Sequence, residues 1–244
     1  MSEESIEQEV EFDRTSEHEG ESIDTAGMML RVKARLRRHE GWVNHMYRDT
    51  EGYVTVGVGF YLQRSDVIGY SWRSKITKRT VSLRDAHADW DKVSSMPYGP
   101  NITAAKFVKD TKVELSDTMI GIVLAKKLLK LRDDLKTAFL NSGIVFDELP
   151  ESVQEAMLDL GYNVIGFQKT TTYPLMKAAL KASDWNEAAA QSGRESPPTP
   201  AARNTEIRNL IFQANLKTCG ENKGVHIAFS SVRNHSLSRC GGVA

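Results

Sequence analysis

The sequence predicts a mixed α+β fold, and three observations predict it. Residues 46–62, MYRDTEGYVTVGVGFYL, carry a turn signal followed by strict alternation, the period of a strand. From about Asp117 to Leu140 an apolar stripe recurs at three- and four-residue spacing, which marks one long helix. Shorter helical patterns occupy most of the remaining chain.

Taken in order, residues 1–26 show no apolar periodicity and read as an acidic, disordered leader. Met29, Val32 and Leu36 then form one helix face, and Gly41 stands where a helix stops, so Glu40 falls in the last turn. DTEG is a turn, after which Val54, Val56 and Val58 form a core face of the hairpin. The opposite face carries Tyr53, Thr55, Gly57 and Gly59, a nearly bare surface that lets something approach the backbone or lets the hairpin twist sharply. Residues 64–81 are basic and weakly patterned, and irregular structure is expected there. Ser82 with Asp85 reads as a capping box, opening a short helix through Leu83, Ala86, Trp90 and Val93. The long helix carries Ile120, Val123, Leu124, Leu128, Leu131, Leu135 and Phe139, and at 1.5 Å per residue it spans about 36 Å. Pro150 opens the next helix, and short helices follow in YPLMKAALKAS, DWNEAAAQS and RNTEIRNLIFQANL. The domain limits expected are 1–26 for the leader, 27–216 for one folded domain and 217–244 for a loose tail.

The chain of 244 residues is formally neutral, but the zero hides a split. The leader holds ten acids against Arg14 alone, a net −9 that leaves +9 on residues 27–244. A basic body suits an anionic partner, and a soluble enzyme with a solvated acidic tail has the same composition. No apolar run approaches the roughly 18–20 residues of a membrane span, and the N-terminus lacks the pattern of a secretory signal. Synthesis in a cytoplasm is therefore expected. Cys219 and Cys240 could close a loop in the tail, while a cytoplasmic chain favours two free thiols.

The chemistry concentrates in residues 40–55. The negative end of a helix dipole favours the protonated form of a carboxyl placed there, as Glu40 is, and partial burial acts in the same sense. A second carboxylate in a solvated, hydrogen-bonding turn, as at Asp49, stays ionised. Two carboxylates in contrasting surroundings suit glycoside cleavage: one protonates the leaving oxygen, the other activates water or stabilises the cation. Thr55, six residues after Asp49 on the bare strand face, is placed to hold that water. By spacing alone, Glu40, Asp49 and Glu51 also fit ordinary surface charge around a hairpin.

The text of the motif separates the two readings. Glu-Gly at 40–41, Tyr-x-Asp-x-x-Gly at 47–52 and Thr-Val-Gly-Val-Gly at 55–59 resemble the catalytic signature of phage-type lysozymes, the family of the T-even bacteriophage lysozyme. By that resemblance Glu40 is the acid, Asp49 the second carboxylate and Thr55 the catalytic threonine, and Glu51 matches an acidic residue of the T-even form. EAMLDLGYNVIGF resembles a helix ending at the cleft, which places Asn163 on its lining, and PAARNTEIRNLIF places Arg203 on an arginine of the closing segment. The resemblance covers roughly 28–216. It implies a lysozyme-like α+β fold with a small hairpin lobe, a long linking helix, a mostly helical lobe and a cleft between them. It further implies a monomer that hydrolyses the β-1,4 bond between N-acetylmuramic acid and N-acetylglucosamine in bacterial peptidoglycan, with no metal or cofactor. There are departures: Phe60 stands where the family has His, and residues 64–116 are longer than in compact relatives.

Other signals fail on inspection. GVGF lacks the third glycine of a dinucleotide loop, and the six histidines make no zinc spacing. Arg64, Arg73, Lys75, Lys78, Arg79 and Arg84 have no nucleic-acid motif beside them and read as a solvated face or a contact to anionic wall polymer. Trp72, Trp90 and Trp185 read as packing residues before sugar platforms. The sequence therefore predicts a peptidoglycan hydrolase acting in the periplasm after release or delivery: a phage endolysin, a virion lysozyme or a secreted antibacterial effector with a delivery or immunity partner. The alternatives are a lytic transglycosylase and a wall-binding module without turnover.

Overall fold

The computed structural model describes residues 25–164, 166–193 and 201–221. Helix α1 spans Thr25–Glu40 and buries Met28, Val32, Arg35 and Leu36. Gly41 ends it at φ +79°, the left-handed conformation that a helix C-terminus needs and glycine adopts without strain. Strands β1 (Val43–Arg48), β2 (Val54–Gly57) and β3 (Phe60–Tyr61) follow as an antiparallel sheet in that order. Tyr47 lies opposite Thr55, and Thr55 opposite Tyr61. The expected hairpin and its valine face are thus present, with Val54, Val56 and Val58 all buried.

The bare face is not open. Thr55 is only 3% exposed, because β2 is the middle strand. Gly57 has φ +70°, and a Cβ there would lie 2.5 Å from the Phe60 ring. What approaches that glycine is the chain's own aromatic side chain, two positions past the turn residue Val58.

Residues 64–81 are more regular than expected. A 3₁₀ segment (Arg64–Gly69) leads into β4 (Trp72–Ser74), which pairs antiparallel with β5 (Val113–Leu115). Three residues are too few for alternation to register, and the partner lies some forty positions away. Between them stands α2 (Leu83–Ser95), whose first turn is capped by Ser82: its Oγ accepts the Asp85 N–H and donates to the Asp85 carboxylate. Leu83 is exposed, and buried Asp89 shares the core face instead, accepting the N–H groups of Lys112 and Val113 at 2.5 and 2.8 Å. One oxygen of this buried carboxylate, Oδ2, thus takes the two amides at the start of the later strand.

Helix α3 is Asp117–Leu140, capped by Ser116, and buries Ile120, Leu124, Leu128, Leu131, Leu135 and Phe139. Then come α4 (Glu151–Asn163), α5 (Pro174–Lys181), α6 (Trp185–Ala190) and α7 (Ala201–Glu221). Helix α4 is the hub: residues 152–160 are all buried, and it packs on α1, α3 and α7. The strands and α2 pack chiefly among themselves, and one hydrophobic cluster runs through both sets of elements. The outer helices run from Thr25 and to Glu221, a few residues beyond the expected limits 27 and 216. The leader before Thr25, the tail beyond Glu221, Cys240 and the side chain of Cys219 lie outside the described residues. Among those described, no helix is long and apolar enough to cross a membrane.

Candidate active site

Glu40 is the last residue of α1, and its side chain is 26% exposed. It does not sit alone in apolar surroundings. Arg203 of α7 donates from Nη1 to its Oε1. The same guanidinium, 4% exposed, donates from Nε at 3.0 Å and from Nη2 at 2.8 Å to Oδ1 of Asp159 on α4. Burial opposes the Arg203 charge, but the two carboxylates more than offset it and raise its pKa above the ordinary value. The other Glu40 oxygen faces the hairpin's second turn, where a Cβ on Gly59 would lie 3.8 Å from Oε2.

Asp49 is fixed by its own turn. Its Oδ1 accepts the N–H groups of Glu51 at 3.0 Å and Tyr53 at 2.8 Å, and its backbone closes the loop through Asp49 N–Tyr53 O and Gly52 N–Asp49 O. An Asp side chain that caps the two amides ahead of it is the usual chemistry of such turns. The remaining oxygen, Oδ2, lies 3.3 Å from the Thr55 hydroxyl, which also lies 3.2 Å from Tyr53 O. One hydroxyl proton serves two acceptors, both at long range, so the hydroxyl is loosely held.

Arg48 braces this turn from behind. It donates to Gly52 O at 2.8 Å and Met96 O at 2.7 Å, with its guanidinium 4.1 Å over the Tyr98 ring. Gly52, at φ +89°, has its open side against that ring: a Cβ would lie 2.8 Å from it.

Two tyrosines connect the carboxylates electrostatically. Burial, then the charges of Asp49 and Glu40, push the Tyr47 phenol up to about 12. Tyr162 of α4 donates to Val58 O at 2.5 Å, and its phenol is also raised, by burial first and then by Glu40 and Tyr47. Glu40 and Asp49 therefore act on a common phenol from a helix end and a hairpin turn.

The structure thus joins Asp49 to Thr55 directly and sets Glu40 against the same hairpin. It does not join the other two predicted residues to them. Glu51 is exposed and contributes its backbone N–H. Asn163, the last residue of α4, donates back to Asp159 O at 2.9 Å. The sequence reading did not reach Asp159, Tyr47 or Tyr162 as site neighbours. For Asp159 a signal existed, a charge set among Met157, Leu158 and Leu160 on an apolar helix.

The basic stretch is largely engaged within the chain. Arg64 pairs with Asp91, Arg73 and Lys78 with Glu114, and Lys75 donates to Val108 O and Thr111. Trp72 and Trp185 are core residues, and Trp90 donates to Leu62 O. Among the described residues no three His, Cys, Asp or Glu side chains are grouped to hold a metal ion. Compared with known proteins, the chain is matched by no family model and by no curated protein.

Proposed function

We propose that the chain is a peptidoglycan hydrolase of the phage-type lysozyme class, a muramidase with the cleft of that fold between hairpin and helices. One observation carries the reading: the hairpin brings Asp49 and Thr55 into hydrogen-bond reach of each other beside the helix end that holds Glu40. In this reading Glu40 protonates the glycosidic oxygen. Thr55 accepts a hydrogen bond from one hydrogen of a water molecule, which stays on oxygen as the product hydroxyl, and Asp49 takes the other proton as the water attacks the anomeric carbon from the face opposite the leaving group. Arg203 orients the Glu40 carboxyl. The substrate is the β-1,4 bond between N-acetylmuramic acid and N-acetylglucosamine, reached in the cell wall after release or delivery from the cytoplasm.

The test uses purified peptidoglycan and circular dichroism. Glu40→Gln should fold and lose activity by roughly a hundredfold or more, since an amide cannot protonate the leaving oxygen. Asp49→Asn should also lose rate with folding intact. Released muropeptides should carry reducing N-acetylmuramic acid ends; 1,6-anhydro ends would make the enzyme a lytic transglycosylase. A folded and fully active Glu40→Gln would sink the mechanism.

A further inference from the structure

Asp159 has no place in that chemistry, yet it is 1% exposed and sits one guanidinium away from Glu40. It grips Arg203 through Oδ1 alone, taking both Nε and Nη2. Its Oδ2 accepts no hydrogen bond among the described residues, and Arg35 Nε stands 3.9 Å from it. Arg35, itself buried, donates to Glu155 Oε2 at 2.5 Å. Arg31 donates to Glu155 Oε1 at 2.6 Å and pairs with Glu151. A ladder of opposite charges therefore runs along the α1–α4 seam and ends at Arg203. Three guanidiniums meet three carboxylates before Glu40 is counted.

That balance has a consequence for an acid. A group that gives up a proton and regains it must exist in both charge states. Were Glu40 the sole partner of Arg203, each protonation would leave a buried guanidinium unpaired, which is strongly unfavourable. With Asp159 fixed on Nε and Nη2, Arg203 stays paired in both states. We propose that Asp159 is a positioning residue for Glu40: it anchors Arg203 and takes up its charge, so that Glu40 cycles its proton without stranding a buried cation. This rests on Glu40 being the acid of the proposed muramidase. The charged and titratable groups around Glu40 are Arg203 from α7, with Asp159 of α4 behind it, Tyr162 from α4 and Tyr47 from β1, on which Asp49 of the hairpin turn also acts, with the His39–Glu206 pair at the preceding residue. Both phenols are raised and stay neutral through the working range, so neither substitutes for Asp159.

Two measurements test it. In Asp159→Asn the guanidinium shared with Glu40 loses its other anion, which favours ionised Glu40. The alkaline limb of the kcat/KM profile should move to lower pH by about one unit. A folded Asp159→Asn with the wild-type limb would overturn the proposal. The second measurement needs no change at Asp159. In Glu40→Gln, the ¹⁵N-detected Nε–H of Arg203 should remain as protected from exchange as in the wild type, because Asp159 holds it. Loss of that protection would show that Glu40 was the anchor and overturn the proposal even where Asp159→Asn does not fold. The two failures are separable: a fully active Glu40→Gln refutes the muramidase, whereas the Arg203 signal reports on the anchor alone.

Discussion

Gly57→Ala tests how the hairpin is built, and its magnitude follows from two separate contributions. Gly57 sits at φ +70°, where an L residue costs about 1–2 kcal/mol. The added methyl would also stand 2.5 Å from the ring of Phe60, which is 1% exposed. Overpacking of that kind costs about 1–3 kcal/mol. The substitution should therefore destabilise by about 2–5 kcal/mol, read by urea denaturation followed by circular dichroism. Gly59→Ala separates the contributions. Its φ is +69°, but its methyl meets only Glu40 Oε2 at an ordinary 3.8 Å, so about 1–2 kcal/mol is expected. Phe60→Ala combined with Gly57→Ala should cost less than the sum of the singles by about 1–3 kcal/mol, since the clash vanishes with the ring. Additivity of that pair to within about 0.5 kcal/mol would refute the steric account of Gly57.

Thr55→Val keeps the β-branched shape opposite Tyr47 and Tyr61 and removes a loosely held hydroxyl; stability should change by no more than about 1 kcal/mol while muramidase rate falls at least tenfold. Tyr98→Ala takes away the ring under Arg48 and Gly52, and the loosened turn should lower kcat with folding retained. Acidification should destabilise in two stages. His45 is held below its ordinary pKa by burial, so the unfolded chain binds more protons and stability falls below about pH 6.5. Asp117, hydrogen-bonded by Asn44 and Trp42, is also depressed; so is Glu206, where His39 and Arg38 outweigh the opposing effect of burial. Their stability is present above the ordinary carboxylate range and lost as pH drops through it. In thermal melts, His45→Gln should flatten the upper stage alone.

Long, regular elements were legible because their signal is local. The limits of α3 follow from seven apolar residues and the NSG stop, all within one stretch of chain. The hairpin register follows from alternation and a turn, and with it the nearness of Thr55 to Asp49. Strands β4 and β5 were not legible, since each needs a partner that no local pattern names. Nor was the purpose of Gly57: the sequence shows that a side is kept bare, not that Phe60 fills it.

The charge ladder failed to show for a different reason. Periodicity sorts residues by apolarity, so Arg35 among Val32 and Leu36, or Glu155 among Val153 and Met157, reads as an interruption of a stripe. A physical signal was nonetheless present. Arg31 and Arg35 are like charges at i, i+4 on α1, and Glu151, Glu155 and Asp159 are like charges at the same spacing on α4. Each set is unfavourable on an isolated helix. Two helices that carry opposite self-repelling rows at equal spacing relieve both by packing together, and the observed seam between α1 and α4 is that arrangement. The row on α4 is one rung longer than the row on α1, and its last rung, Asp159, has Arg35 no nearer than 3.9 Å. The close cation comes from α7, as Arg203, and it reaches Glu40 because α1 ends about a turn beyond its own last rung.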